Sequence, residues 1–212
     1  MDDLHRVCVK LYAPEPDDGV DTILVPVFHE WIRDRALDLV LVDVADYTHA
    51  PDSPGVVLVS HEASFALDRS DGRFGLLAQR RRPVAGDAAV AIATTLRQAL
   101  DVARRLEREP RLAGKLAFDD TTVRVEANDR LRAANTEAGY ATLEPLVRVA
   151  FSTVYPGRAT HVDRVENDPR DRLAIDVRLE RATPGATWRP RSAETAPAPS
   201  LLLGRTRTPE QR

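Results

Sequence analysis

At 212 residues, 43% of them hydrophobic, the chain is long enough to bury one substantial core or two small ones. Its net charge of −3, spread over 30% charged residues, sets up no general field for nucleic acid or an anionic membrane. A single cysteine, Cys8, excludes an intrachain disulfide and a cysteine-based metal cage. No apolar run approaches the roughly 20 residues that span a bilayer. The start Met1-Asp2-Asp3-Leu4 lacks the basic and apolar regions of a signal peptide. A soluble, cytoplasmic protein is the expectation.

Val7, Val9 and Leu11 alternate, which predicts a first strand ending near Tyr12, with Cys8 acting as a small hydrophobe within it. Prolines, aspartates and Gly19 make 13–21 a loop. A helix follows, starting at an Asp21 cap or with Pro26 in its first turn, and Val27, Phe28, Trp31 and Ile32 form its apolar stripe. The stretch 40–78 organises the rest of the chain. Val40 to Val44 reads as a strand buried on both faces, and Pro51 and Pro54 punctuate a loop over 46–54. A second run opens at Val56. If it stays extended, Val57, Val59, His61, Ala63, Phe65 and Leu67 share one face. Asp71-Gly72 is a hairpin signal leading into Phe74, Leu76 and Ala78. The centre is therefore a β-meander whose apolar face needs a cover.

After Arg80-Arg81-Arg82-Pro83 the longest helix spans 87–108, capped by Asp87 and ended at Glu109-Pro110. Leu116 and Phe118 pair with Val123 and Val125 around Asp119-Asp120 in a second predicted hairpin. A third helix begins at Leu143, capped by Thr142, and runs to Tyr155. His161 to Asp163 and Leu173 to Val177 are the last strands. Beyond 182 the chain is rich in Pro, Ala and Arg and reads as a disordered tail, 182–212, with Leu201, Leu202 and Leu203 as an apolar island.

The order strand, loop, helix, strand, strand occurs twice. VCVKLYA, the helix around Pro26, LVDVAD and GVVLV match VRVEAND, the helix around Pro145, HVDRVE and LAIDV. The expected fold class is α+β: a mixed, largely antiparallel sheet covered by about three helices, with a pseudo-two-fold duplication of a βαββ unit as the reading of the repeat. Residues 1–181 form a single domain, its halves 1–82 and 112–181 joined by the helix 87–108. The residues carry no resemblance to a known family.

Five histidines are present, and the suggestive segment is 43–62. Asp43, Asp46, Tyr47, His49, His61 and Glu62 form the candidate polar site, because loops leaving buried strands tend to hold sites. Imidazole and carboxylate suit Zn, Fe or Mn, which makes His49 and His61 weak metal candidates. No two histidines stand at i, i+4 on a helix, and in a continuous strand Glu62 points away from His61. No nucleophile elbow surrounds Ser60, Ser64 or Ser152, and no glycine-rich phosphate loop occurs. Arg80, Arg81 and Arg82 are weak candidates for phosphate or nucleic acid, set against only 5% aromatic residues. No cofactor is implied. The expected function is that of a non-catalytic binding or scaffold protein, with an unidentified protein or small-molecule partner or a second copy of itself. The alternatives are a small-molecule or metal-dependent enzyme using 43–62, and phosphate or RNA binding through 80–82.

Overall fold

A computed structural model describes residues 4, 6–17, 19–50, 53–119 and 121–181. One compact unit runs through residue 182, and the tail expected over 182–212 lies outside the described residues. Within the unit, β1 (Val7–Tyr12) leads to α1 (Val20–Arg33), then to β2 (Leu41–Asp46), β3 (Val56–Ser60), β4 (Ala63–Asp68) and β5 (Gly75–Arg80). Then come α2 (Ala88–Arg108), β6 (Thr122–Ala127), α3 (Glu137–Val154), β7 (Thr160–Arg164) and β8 (Ala174–Leu179). The eight strands form one sheet in the order β2-β3-β4-β5-β1-β6-β8-β7, and every pairing is antiparallel. The fold is α+β, as its alternating and helical segments predict. The expected mixed sheet gives way to a wholly antiparallel one. No crossover here returns a strand parallel to its neighbour, because each helix delivers the chain to a non-adjacent position.

The helices cover one face. Val7, Val9 and Leu11 of β1, Phe65 of β4 and Val123 and Val125 of β6 are fully buried beneath them. Removing a Leu or Phe side chain of this kind from water contributes roughly 1.5–3 kcal/mol. In α1 the buried residues are Val20, Leu24, Val27, Phe28 and Trp31; in α3 they are Leu143, Val147, Ala150, Phe151 and Val154, at the same spacing. Both helices start earlier than their prolines imply. α1 begins at Val20, and α3 begins at Glu137, capped by Thr136 rather than Thr142, with the Thr136 hydroxyl accepting from Gly139 N–H. Pro26 and Pro145 are interior, and both side chains are exposed. They are not equivalent, since Pro26 falls between the second and third buried residues of its stripe and Pro145 between the first and second of the other. α2 is as predicted: the Asp87 carboxylate accepts from Val90 N–H, and the helix stops before Pro110.

The meander is present as β2 to β5, with Gly72 at φ 76° in the predicted Asp71-Gly72 turn. Three details differ. His61 and Glu62 form a tight turn between β3 and β4, so Val57 and Val59 lie on the uncovered face, whereas Ala63, Phe65 and Leu67 lie under the helices. Leu116 to Asp119 forms no strand, and Asp120 lies outside the described residues. The strand beside β1 is β5, not β3, so the positions matching β8 and β7 are held by β5 and β4.

Gly75 shows why β5 closes on β1. A Cβ there would lie 2.4 Å from Leu11 O and 3.1 Å from the Lys10 Cε, so only glycine lets the two strands and the Lys10 stem share that space. Gly75→Ala is expected to destabilise the fold by about 1–3 kcal/mol. The urea midpoint reads it, and an unchanged midpoint would rule out the close approach.

Candidate functional site

Two constructions stand out, one outside the segment 43–62 and one that overlaps it. The first is a buried charge network on the sheet face without helices. In the strand VCVKLY, residues alternate between faces, so Cys8, Lys10 and Tyr12 point away from the core. Lys10 is nevertheless only 2% exposed. Its ammonium donates to Asp68 Oδ2 and to Arg73 O, both at 2.7 Å, and to Asp71 Oδ1. Asp71 Oδ2 accepts from the Tyr12 hydroxyl and from Arg124 Nη1, both at 2.8 Å. Arg124 also grips Asp176 with Nε and Nη2 at 2.8 and 3.0 Å. The Arg73 guanidinium lies 3.4 Å from the Tyr12 ring centre and helps close the cluster from outside. Charges thus run from the β4–β5 hairpin through β1 and β6 to β8.

Every ion in this network has its partners inside the protein. Burial works to raise the Asp71 carboxyl, but the bonds from Lys10 and Tyr12 and the charges of Lys10 and Arg124 outweigh it and hold it below the usual carboxylate range. Burial and the bond to Asp71 push the Tyr12 hydroxyl up. Burial likewise pushes the Cys8 thiol up to about 12, helped by Glu126 and opposed by Arg172, so at neutral pH Cys8 is an unreactive thiol. A network this complete fastens strands together and offers no open position to a ligand.

The second construction is the β2 end of the sheet. The apolar run Val40–Val44 is not buried on both faces: β2 pairs only with β3, and Val40 and Val42 are 63% and 59% exposed. The register slips between Leu41 and Asp43, so Val42 is a bulge residue. Tyr47 N–H bonds to Gly55 O, which by antiparallel alternation turns the Ala45 and Asp43 backbone toward β3 and that of Val44 outward. Val44 N–H bonds to the carboxylate of Asp43 at 2.8 Å. Beside this edge is a cleft of about 760 Å³ to which Ile32, Leu37, Leu39 and Leu41 contribute apolar walls. Arg35, Asp38 and Glu62 also line it.

The end of α1 shapes that cleft. Ala36 N–H bonds to Trp31 O at 2.9 Å and Arg35 N–H to Ile32 O at 3.3 Å, the double closure that usually places glycine between helix and exit. Here Arg35 occupies the left-handed position at φ 50°. A non-glycine residue there carries a strain of about 1–2 kcal/mol, and such strain collects at functional clefts.

At the opposite end of the sheet, side chains engage part of the edge. Val165 N–H bonds to Ala174 O and Glu180 N–H to Ala159 O, so the alternate residues Thr160 and Val162 face outward. The Thr160 carbonyl accepts from Arg148 and the Val162 carbonyl from the Tyr140 hydroxyl, both at 3.3 Å and both from α3. Among the described residues, no α1 side chain hydrogen-bonds to β2 backbone in the same way.

The residues predicted for a site are placed apart. His49 follows β2 and His61 follows β3, at opposite ends of the hairpin ladder, roughly 17 Å apart at about 3.3 Å per residue. Asp43 lies on the uncovered face and Asp46 on the helix side, its carboxylate held by Thr48. Tyr47 is exposed, and Glu62 lies 3.9 Å from the His61 ring. Among the described residues, no three His, Cys, Asp or Glu side chains are gathered as a metal site. Arg80 is 3% exposed and donates to Thr95, Gln98 and the Arg82 carbonyl, whereas Arg81 and Arg82 are exposed, so the three do not form one surface. Asp43, Asp46 and Glu62 do share the β2 neighbourhood. Lys10 is what residue reading missed, although a lysine in an otherwise apolar strand was its signal.

No protein-family model matches the chain, and no curated protein or solved structure matches it either. No helix among the described residues is long and apolar enough to cross a membrane.

Lys10→Met leaves Asp68 and Asp71 without their shared cation and is expected to cost about 3–5 kcal/mol, measured by urea denaturation at neutral pH. Because folding depresses the Asp71 pKa, its contribution is complete above the unfolded value of about 3.9 and is lost as pH falls through the folded value. The wild-type urea midpoint therefore drops below about pH 4, and Asp71→Asn flattens that limb. An equally steep acid limb in the variant would show that another carboxylate governs it.

Proposed function

We propose that this protein is a non-catalytic binding module that receives an extended segment of a partner polypeptide along β2. The observation that carries the reading is the unequal treatment of the two sheet ends: α3 side chains occupy the outward carbonyls of β7, whereas β2 is left open with exposed valines and an adjoining cleft. An unpaired strand edge is a template for main-chain hydrogen bonds, and pockets beside it select side chains. The fully satisfied Lys10 network and the separation of His49 from His61 favour binding over chemistry.

A duplication gives the open end an origin. β1-α1-β4-β5 and β6-α3-β7-β8 are two βαββ units that meet at the β1–β6 pair, with α2 between them. The equal spacing of the buried residues in α1 and α3 supports this reading. In this scheme the hairpin β2–β3 is an insertion without a counterpart. It replaces what would be a partly engaged end, like β7, with an open one, and an added element is where a new binding function resides.

Selection from a displayed library of random peptides tests the proposal. Val44→Pro blocks the edge while sparing the ladder to β3, because the Val44 N–H faces outward. Peptides enriched on the wild type are expected to lose at least about tenfold in affinity on the variant, equal to roughly 1.4 kcal/mol. Failure to enrich any peptide, or affinities that Val44→Pro leaves intact in a folded variant, would sink the reading.

A further inference from the structure

We infer that the segment docking on β2 is basic, with two cations three residues apart flanking an apolar residue that lies beside Val44. This rests on the strand-addition reading above and specifies its partner. Asp38, Asp43 and Asp46 are exposed, and none of them makes an ion pair among the described residues. Glu62 adds a fourth carboxylate, and Arg35 is the one arginine lining the adjoining cleft. The edge is therefore acidic as well as open, which a second copy of β2 would meet with like charge and a cationic strand with opposite charge.

Geometry sets the pattern. A residue placed opposite Val44 lies on its helix-side face, where Val44 packs against the core, so an apolar side chain suits it. Its neighbour opposite Asp43 projects from the uncovered face, and the residue opposite Asp46 projects from the helix side. A strand added antiparallel, as every pairing in this sheet is, meets Asp46, Ala45, Val44 and Asp43 in that order, so from N to C it reads basic, any, apolar, basic.

Asp43 links docking to charge. In the free protein its carboxylate holds the outward Val44 N–H. A carbonyl of the incoming strand takes over that N–H, and the released carboxylate turns to the incoming cation. The same residue guards the empty edge and recognises the occupant.

The test uses two labelled peptides of equal length, one built on Lys-Thr-Val-Lys and one on Glu-Thr-Val-Glu, titrated with the full chain by fluorescence anisotropy at low and high salt. The basic probe is expected to bind, to weaken as salt rises, and to bind Asp43→Asn/Asp46→Asn about fivefold less tightly, since two exposed pairs are worth about 1 kcal/mol together. Asp43→Lys/Asp46→Lys is expected to exchange the preference and bind the acidic probe. If both probes bind alike, and Val44→Pro abolishes both, the edge takes strands without regard to charge: the inference falls and the strand-addition reading stands. If neither probe binds and sedimentation shows a concentration-dependent dimer that Val44→Pro dissociates, the occupant is a second copy. If Val44→Pro changes nothing, both the inference and the reading beneath it are wrong. Val42→Lys, on the exposed bulge, checks the charge effect in a variant that leaves the backbone pattern alone.

Discussion

The ammonium of Lys10 is the centre of the charge network that ties the β4–β5 hairpin to the middle of this sheet. It lies on the central strand, buried, between carboxylates from the β4–β5 hairpin. One of those carboxylates, Asp71, passes the contact to Arg124 and so to Asp176 on β8. A cation so placed is costly to desolvate, and only a full set of partners offsets that cost. The hairpin must therefore curl back over β1, the residue opposite Tyr12 must be Gly75 to leave room for the Lys10 stem, and β6 must present Arg124 opposite Lys10. Register is specified by charge here as much as by apolar pattern.

This division of labour lets one face of the sheet go without helices. Long side chains, Arg73 and Arg124 among them, shield the middle of that face, while the helices bury the other. Toward β2 the shielding thins. The uncovered face there carries Val57, Val59 and Ala45, and among the described residues the strand edge itself bears the Asp43 carboxylate and the Val42 bulge as protection. Both are devices by which proteins discourage unwanted pairing, and both yield to a suitable strand more readily than a covering helix would.

Much of the architecture was legible in the residues because local signals and tertiary outcome agree. Alternation located β1, the Asp71-Gly72 turn located the β4–β5 hairpin, and Asp87 with Pro110 bounded α2. The errors share a cause: neighbours decided what local pattern left open. Continuous valines read as a strand buried on both faces, yet Val40 and Val42 are exposed because β2 is last in the order. Alternation through His61 read as one strand, yet Ser60 turns the chain by binding back to Ala63. The third helix read as starting at Leu143, just before Pro145, yet it begins at Glu137, and both Pro26 and Pro145 are interior and on the solvent side, where a missing N–H bond costs least. The site was legible only in part. Asp43, Asp46 and Glu62 were marked as polar groups worth watching, but as would-be ligands, and what relates them is an edge that only strand order reveals.

A sheet with one end partly engaged and the other open has a particular fate in solution. Molecules with two open edges can add strands without limit and grow into fibres, because each addition creates a new template. Here Arg148 and Tyr140 occupy two outward carbonyls of β7, so that end offers fewer free acceptors to an added strand than β2 does. If β2 receives a strand as proposed, the asymmetry of the two ends favours a single addition over repeated growth.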